Sequence, residues 1–178
     1  MGKNITVYLG ACEGNDPIFR EKIIELGEWI GNNGHTLVYG GSKCGLMGLV
    51  AESAMRKGGK AIGVEPQFFV DECKQLDTLT ELIVTQDMSE RKAKMIELGD
   101  VFIAFPGGTG TLEEITEVMS KVALWQTECP CILYNLNGFY DHLKALLDLM
   151  VAKEFSSPDR LEGICFVENL EEIEAIIG

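Results

Sequence analysis

Positive charge is scarce in this chain of 178 residues: 15 Lys and Arg stand against 28 Asp and Glu, giving a net charge of −13. That balance repels nucleic-acid backbones and anionic membranes, so neither partner is expected. Long apolar runs are missing as well, and the N-terminus passes straight into a strand-like segment with no secretory h-region. Histidine is limited to His35 and His142, and the six cysteines (Cys12, Cys44, Cys73, Cys129, Cys131, Cys165) include no C-x-x-C pair. No metal site is therefore expected, and scattered thiols beside apolar runs fit a reduced, cytoplasmic setting. Three catalytic signatures are absent too. No stretch reads G-x-G-x-x-G, because Glu113 stands where the third glycine would follow Gly108 and Gly110. The turn at Gly40 lacks the Lys-Ser/Thr of a P-loop, and there is no G-x-S-x-G elbow. Dinucleotide reduction, nucleoside-triphosphate hydrolysis and serine-hydrolase chemistry are all demoted.

What is present is alternation. Apolar runs at 5–9, 36–39, 61–64, 81–85, 101–105, 131–134 and 165–167 read as strands. Between them lie helical patterns: one opened by Asp16-Pro17 and ending at Gly31 or Gly34, others from Gly45, from Asp87–Glu90, from the Gly107 region to about Trp125, over 139–153 and over 169–177. The segment 67–80 reads as a short helix and a loop. Strands apolar throughout indicate a parallel sheet covered on both faces. The expectation is one α/β domain over residues 1–178, a doubly wound parallel sheet flanked by helices on both faces. Ligands of such sheets bind beyond the carboxyl ends of the strands, so the turns after Leu9, Tyr39, Thr85 and Phe105 should line one crevice. Three glycine-rich turns meet there: Gly10, then Gly40-Gly41 with Gly45 and Gly48, then the loop at Gly107.

That last loop, Phe105-Pro106-Gly107-Gly108-Thr109-Gly110-Thr111-Leu112-Glu113-Glu114, joins a strand to an amphipathic helix. Gly107, Gly108 and Gly110 permit positive φ and close backbone approach, and the helix behind them offers unpaired N–H groups. Strand, glycine turn and helix N-terminus together suit a phosphate. Three glycines exceed what a tight turn needs, so we read a phosphate site. Thr111 and Glu114 also have the capping-box spacing, which would make Glu114 a structural cap. For Glu114 both readings stand. Glu113, its neighbour, points about 100° away and cannot face the same ligand atom.

Arg91 and Lys92 open the helix after the fourth strand, where cations oppose the helix dipole. An anionic ligand would offset that cost, so we favour a binding role over a solvated patch. Met88, Ser89 and Ser120 are candidate pocket residues with equally ordinary roles in helix or cap. His35 and His142 are assigned none.

Two of these stretches, Asp87-Met88-Ser89-Glu90-Arg91-Lys92-Ala93-Lys94-Met95 and Pro106-Gly107-Gly108-Thr109-Gly110-Thr111-Leu112-Glu113-Glu114, resemble the paired signature of the LOG ("Lonely guy") family. Gly40-Gly41, Gly45-Leu46-Met47-Gly48 and Gly63-Val64-Glu65-Pro66 look like further landmarks of that family, and the resemblance runs over nearly the whole chain. It implies a Rossmann-like homodimer with its site near the subunit interface. It also implies cleavage of the N-glycosidic bond of a nucleoside 5′-monophosphate, without metal or cofactor. Arg91 and Glu114 match the family's catalytic pair. Lys92 and Gly107, Gly108, Thr109, Gly110, Thr111 and Glu113 match its substrate contacts, to which Met88, Gly10 and Gly41 are added from the crevice. Ser89 departs from the His of many members, and Glu65 stands where an apolar residue is usual. The rival reading is a nonenzymatic carrier of a phosphorylated ligand on the same fold, as in molybdenum-cofactor carriers.

Overall fold

The computed structural model describes residues 2–72 and 74–178, so Met1 and Cys73 lie outside the described residues. The described residues form seven strands: β1 (Asn4–Tyr8), β2 (Thr36–Tyr39), β3 (Lys60–Pro66), β4 (Glu81–Thr85), β5 (Val101–Ala104), β6 (Cys131–Tyr134) and β7 (Ile164–Val167). The helices between and after them are α1 (Pro17–Asn32), α2 (Gly45–Arg56), α3 (Gln67–Asp71), α4 (Met88–Leu98), α5 (Thr109–Ala123), α6 (Asp141–Ala152) and α7 (Leu170–Ile177). All strand pairs are parallel, in the order β4-β3-β2-β1-β5-β6-β7. This is the doubly wound, Rossmann-like sheet that the alternation of runs implies.

Local chemistry explains the helix starts. Asp16 accepts the Ile18 N–H at 3.0 Å, with Pro17 at the first helical position. Asp87 accepts the Glu90 N–H at 2.9 Å, while the Glu90 carboxylate accepts the Gln86 N–H at 2.7 Å. Asn169 and Glu172 repeat this arrangement ahead of α7. Some boundaries differ from the sequence reading. β1 and β5 each end one residue early, although the Phe105 N–H still donates to Tyr8 O at 2.9 Å. α6 begins at Asp141 instead of 139, because Asn137 and Gly138 take φ of 50° and 74° and close a 3-10 turn first. Segment 67–80 contains α3 and a single bridge from Gln75 to Ser42.

Alternate residues of each strand feed opposite cores. Ile5 and Val7 of β1 pack with Ile23, Leu26, Ile30, Val50 and Ile173 under α1, α2 and α7. Tyr8 packs with Met95, Ile115, Val118 and Leu147 under α4, α5 and α6. The one buried hydroxyl in the middle of β1, Thr6, donates to Met95 O at 3.2 Å. The strand order reverses between β1 and β5, where Tyr8 lies opposite Ala104. The turns leaving those two strands therefore diverge to opposite faces and open a crevice at the switch point.

Close approach of α1 and α2 depends on two glycines. A Cβ on Gly27 would stand 2.6 Å from Val50 O and 2.8 Å from Ser53 Cβ, and one on Gly31 would strike Lys57 Cβ at 2.7 Å. Gly27→Val should therefore cost about 1–3 kcal/mol through overpacking. Urea denaturation checks this; an unchanged midpoint would show that the two helices slide apart freely.

Candidate active site

The loop after β5 is built around mutual close packing of Gly10 and Gly107. A Cβ on Gly10 would lie 3.3 Å from Gly107 Cα, and one on Gly107 would lie 2.8 Å from Gly10 N and collide with Thr111 Oγ1. Tyr140 locks the base of the loop by donating its hydroxyl to Phe105 O at 2.9 Å. Gly108 and Gly110 are different: a Cβ there would meet nothing within 4 Å. Folding does not require glycine at either position, and the space beside them is open. None of Gly107, Gly108 and Gly110 takes positive φ, contrary to the sequence expectation; Gly41 does, at 86°. Their contribution is the missing side chain, not an unusual dihedral.

The capping-box reading of Thr111 and Glu114 is overturned. α5 starts at Thr109 with Gly108 as its cap residue, so Thr111 is inside the first turn and buried. No side chain caps this helix. Its first amides consequently face the crevice, beside a hollow of about 270 Å³ lined by Gly10, Ala11, Gly107, Gly108, Phe19 and Phe139. Amides and dipole there favour an anion.

Glu114, in the second turn of α5, is free for another partner. Arg91 Nη1 donates to Glu114 Oε1 at 2.5 Å, and both side chains are buried, at 7% and 10% exposure. Arg91 Nε donates to Val64 O at 2.8 Å, which pins the guanidinium over the end of β3. Gly40 makes room for it, since a Cβ there would be 2.5 Å from Arg91 Nη2. Lys92 instead reaches Glu113 at 2.7 Å and Glu117 at 3.3 Å. The two cations at the start of α4 are thus balanced by acids of α5, where sequence reasoning invoked an anionic ligand. Met88 is half-buried at the first position of α4, Ser89 and Ser120 are exposed, and Gly41 is buried against Glu65. His35 accepts the Lys3 N–H and lies against Trp29, while His142 is exposed.

Burial pushes the Glu114 carboxyl above the usual range, and Arg91 draws it back down. Two residues that the sequence did not single out as site residues complete the surroundings. Tyr8 is buried with no partner for its hydroxyl among the described residues; burial and then the Glu114 charge push it up. Glu65, at the end of β3, is 1% exposed with Oε2 unpartnered among the described residues, and burial raises it to about 7 against the pull of Arg91. Its only sequence signal is a lone acid in an apolar Gly-Val-x-Pro stretch. Among the described residues no group of three or more His, Cys, Asp or Glu side chains is placed to hold a metal ion. Nor is any helix long and apolar enough to cross a membrane.

Comparison with known proteins bears on this geometry. Residues 47–177 match the family model described as "Possible lysine decarboxylase". The cytokinin riboside 5′-monophosphate phosphoribohydrolase of Rhodococcoides fascians is 37% identical over 171 residues, covering 95% of this chain and 86% of that protein. An Arabidopsis thaliana protein of the same name is 38% identical over 156 residues, covering 88% and 73%. Among solved structures, the molybdenum cofactor binding protein of Rippkaea orientalis superposes with a TM-score of 0.75 at 24% identity, covering 100% of this chain and 99% of that one. The molybdenum cofactor carrier protein of Chlamydomonas reinhardtii gives 0.75 at 20% identity, covering 99% and 96%. At that identity the likeness is one of fold.

Glu65 makes stability depend on pH. Its folded value lies above its unfolded one, so between about 4.5 and 7 the folded chain holds a proton that the unfolded chain has lost. Stability should fall as pH rises through that window, by on the order of 3 kcal/mol. Denaturation curves of wild type and Glu65→Gln across pH 4–8 check it: the difference between them should grow with pH, in favour of the variant.

Proposed function

The chain belongs to the LOG family, and from that premise we propose that it hydrolyses the N-glycosidic bond of a purine nucleoside 5′-monophosphate, AMP or an N6-modified, cytokinin-type analogue. The products are the free base and ribose 5-phosphate. The observation that carries this reading is the buried Arg91–Glu114 pair beside an uncapped helix N-terminus. In this reading the 5′-phosphate sits on the α5 amides over Gly107, Gly108, Thr109, Gly110 and Thr111, with Gly10 at its edge. That anchor sets C1′ against Glu114, converting encounter into position.

Cleavage of such a bond builds positive charge on the ribose ring, as in glycoside hydrolysis. A carboxylate about 4 Å away at an effective dielectric near 20 is worth ~4 kcal/mol, roughly a thousandfold in rate. Arg91 holds Oε1 of Glu114, which leaves Oε2 to take a proton from the attacking water. Lys92, held between Glu113 and Glu117, and Met88 border the sugar side. No residue of this chain is asked to carry a metal or a cofactor. The curated relatives, named as phosphoribohydrolases, support the enzymatic class. The shared fold of the molybdenum cofactor proteins keeps a carrier as the second reading, yet a carrier has no use for a buried cation–carboxylate pair.

We further infer a cytoplasmic homodimer. α5, α6 and the turn after α6 present Leu112, Leu146, Leu149, Met150 and Phe155, all exposed, the last at 87%. All but Leu149 line a groove that also touches Thr109 and Glu113 of α5, so a second copy seated there would approach the site.

Purified protein incubated with AMP should release adenine and ribose 5-phosphate, followed by chromatography. Glu114→Gln should bind AMP yet turn over about a thousandfold more slowly, and adenosine, lacking the phosphate, should be a poor substrate. Binding without release from any nucleoside monophosphate would favour the carrier. Sedimentation of Leu146→Asp with Phe155→Asp should give a folded monomer where wild type gives a dimer; a dimer that survives would place the interface elsewhere.

A further inference from the structure

One buried acid takes no part in the chemistry above. Glu65 lines a cavity of about 310 Å³ together with Ala11, Gly40, Met47, Phe69 and Arg91. A Cβ on Gly41 would stand 2.7 Å from Glu65 Cγ, and one on Gly63 would stand 2.7 Å from Gly41 Cα. Gly40 clears space for the Arg91 guanidinium in the same way. Adjacent glycines thus make room for a carboxyl and a guanidinium side by side. Nothing among the described residues satisfies Glu65 Oε2, and a buried unpartnered acid is costly. An apolar residue would serve the strand better, which points to a role toward whatever enters the cavity.

Arg91 fixes what that is. Its Nη1 holds Glu114 and its Nε holds Val64 O, while Nη2 lies against Gly40 on the Glu65 side. Ala11 borders both this cavity and the hollow beside Gly107. With phosphate on the α5 amides and C1′ at Glu114, the substituent of C1′ passes Arg91 into the Glu65 cavity. Phe69 and Met47 there offer a ring face and a thioether to a flat heteroaromatic group.

We propose that Glu65, as the neutral acid, contacts the purine in this cavity and donates its proton to a ring nitrogen as the bond to C1′ breaks. The inference rests on the phosphoribohydrolase reading. The C1′–N9 bonding pair leaves with the base, and N7 of the base takes the Glu65 proton. Water bonds to C1′ and gives a proton to Glu114. Exchange with solvent then returns one proton to Glu65 and removes one from Glu114, so the balance is nucleotide plus water to base plus ribose 5-phosphate. The charged and titratable groups around Glu65 are Arg91 of α4, Tyr39 at the end of β2, Cys44 ahead of α2 and Lys74 after α3. Burial outweighs Arg91 and leaves the carboxyl near 7, suited to giving up a proton at neutral pH.

The test compares the full chain with Glu65→Gln and Glu65→Leu on two substrates: AMP, and 4-nitrophenyl β-ribofuranoside 5-phosphate, whose leaving group departs without a proton. Both variants should lose roughly 10²- to 10⁴-fold in kcat on AMP. They should stay within a few-fold of wild type on the nitrophenyl substrate. The decline of wild-type kcat/KM for AMP as pH rises through about 7 should vanish in Glu65→Gln. Glu65→Leu should melt no lower than wild type. Equal losses on both substrates, a lowered melting temperature with such losses, or full AMP turnover in Glu65→Gln would each overturn the proposal. A wild type inactive on both substrates overturns the phosphoribohydrolase reading itself, an outcome distinct from an active enzyme indifferent to Glu65.

Discussion

The Arg91–Glu114 contact organises this molecule more than any apolar contact does. Taking both charges out of water costs several kcal/mol per ion, and their attraction repays that only with good geometry and further hydrogen bonds. The fold supplies both. Val64 accepts the second guanidinium bond, Gly40 has no side chain to crowd it, and the two helices carrying the pair lie on the same face of the sheet. Apolar residues of similar volume would hold α4 to α5 as well or better. Arg91 sits over the end of β3 and Glu114 in the helix that follows β5, at the edge of the sheet where a ligand of such a fold belongs.

Much of this architecture was legible in the chain itself. Parallel strands follow from runs that are apolar at every position, and the starts of α1, α4 and α7 follow from Asp16, Asp87 and Asn169. The start of α5 did not follow. Thr111 and Glu114 have capping spacing, but Gly108 takes the cap position because Gly10 and Gly107 must pack together and Thr111 must turn inward against them. Likewise, the partners of Arg91 and Lys92 lie on another helix, and no local pattern announces a contact across the chain. Glu65 is the clearest case. The sequence marks it only as an acid where the family usually carries an apolar residue, and nothing local announces that it ends up buried beside Arg91 of α4.

The acidic composition and an anion site coexist without conflict because different parts of the chain carry them. Lys92 is engaged by two carboxylates and Arg91 by one, so attraction for phosphate falls to backbone amides and the helix dipole. Amides of a short loop act over a few ångströms and leave the surface free to repel larger polyanions. On the proposed reading, selection of a small phosphorylated ligand over a nucleic acid rests on which groups face outward.

Arg91 also stands between two carboxyls, and both feel its charge. Glu65 and Glu114 therefore compete for a single cation. Burial outweighs that charge at each of them, and both carboxyls stay above their usual range. One guanidinium is thus too little to hold two buried acids at their ordinary acidity.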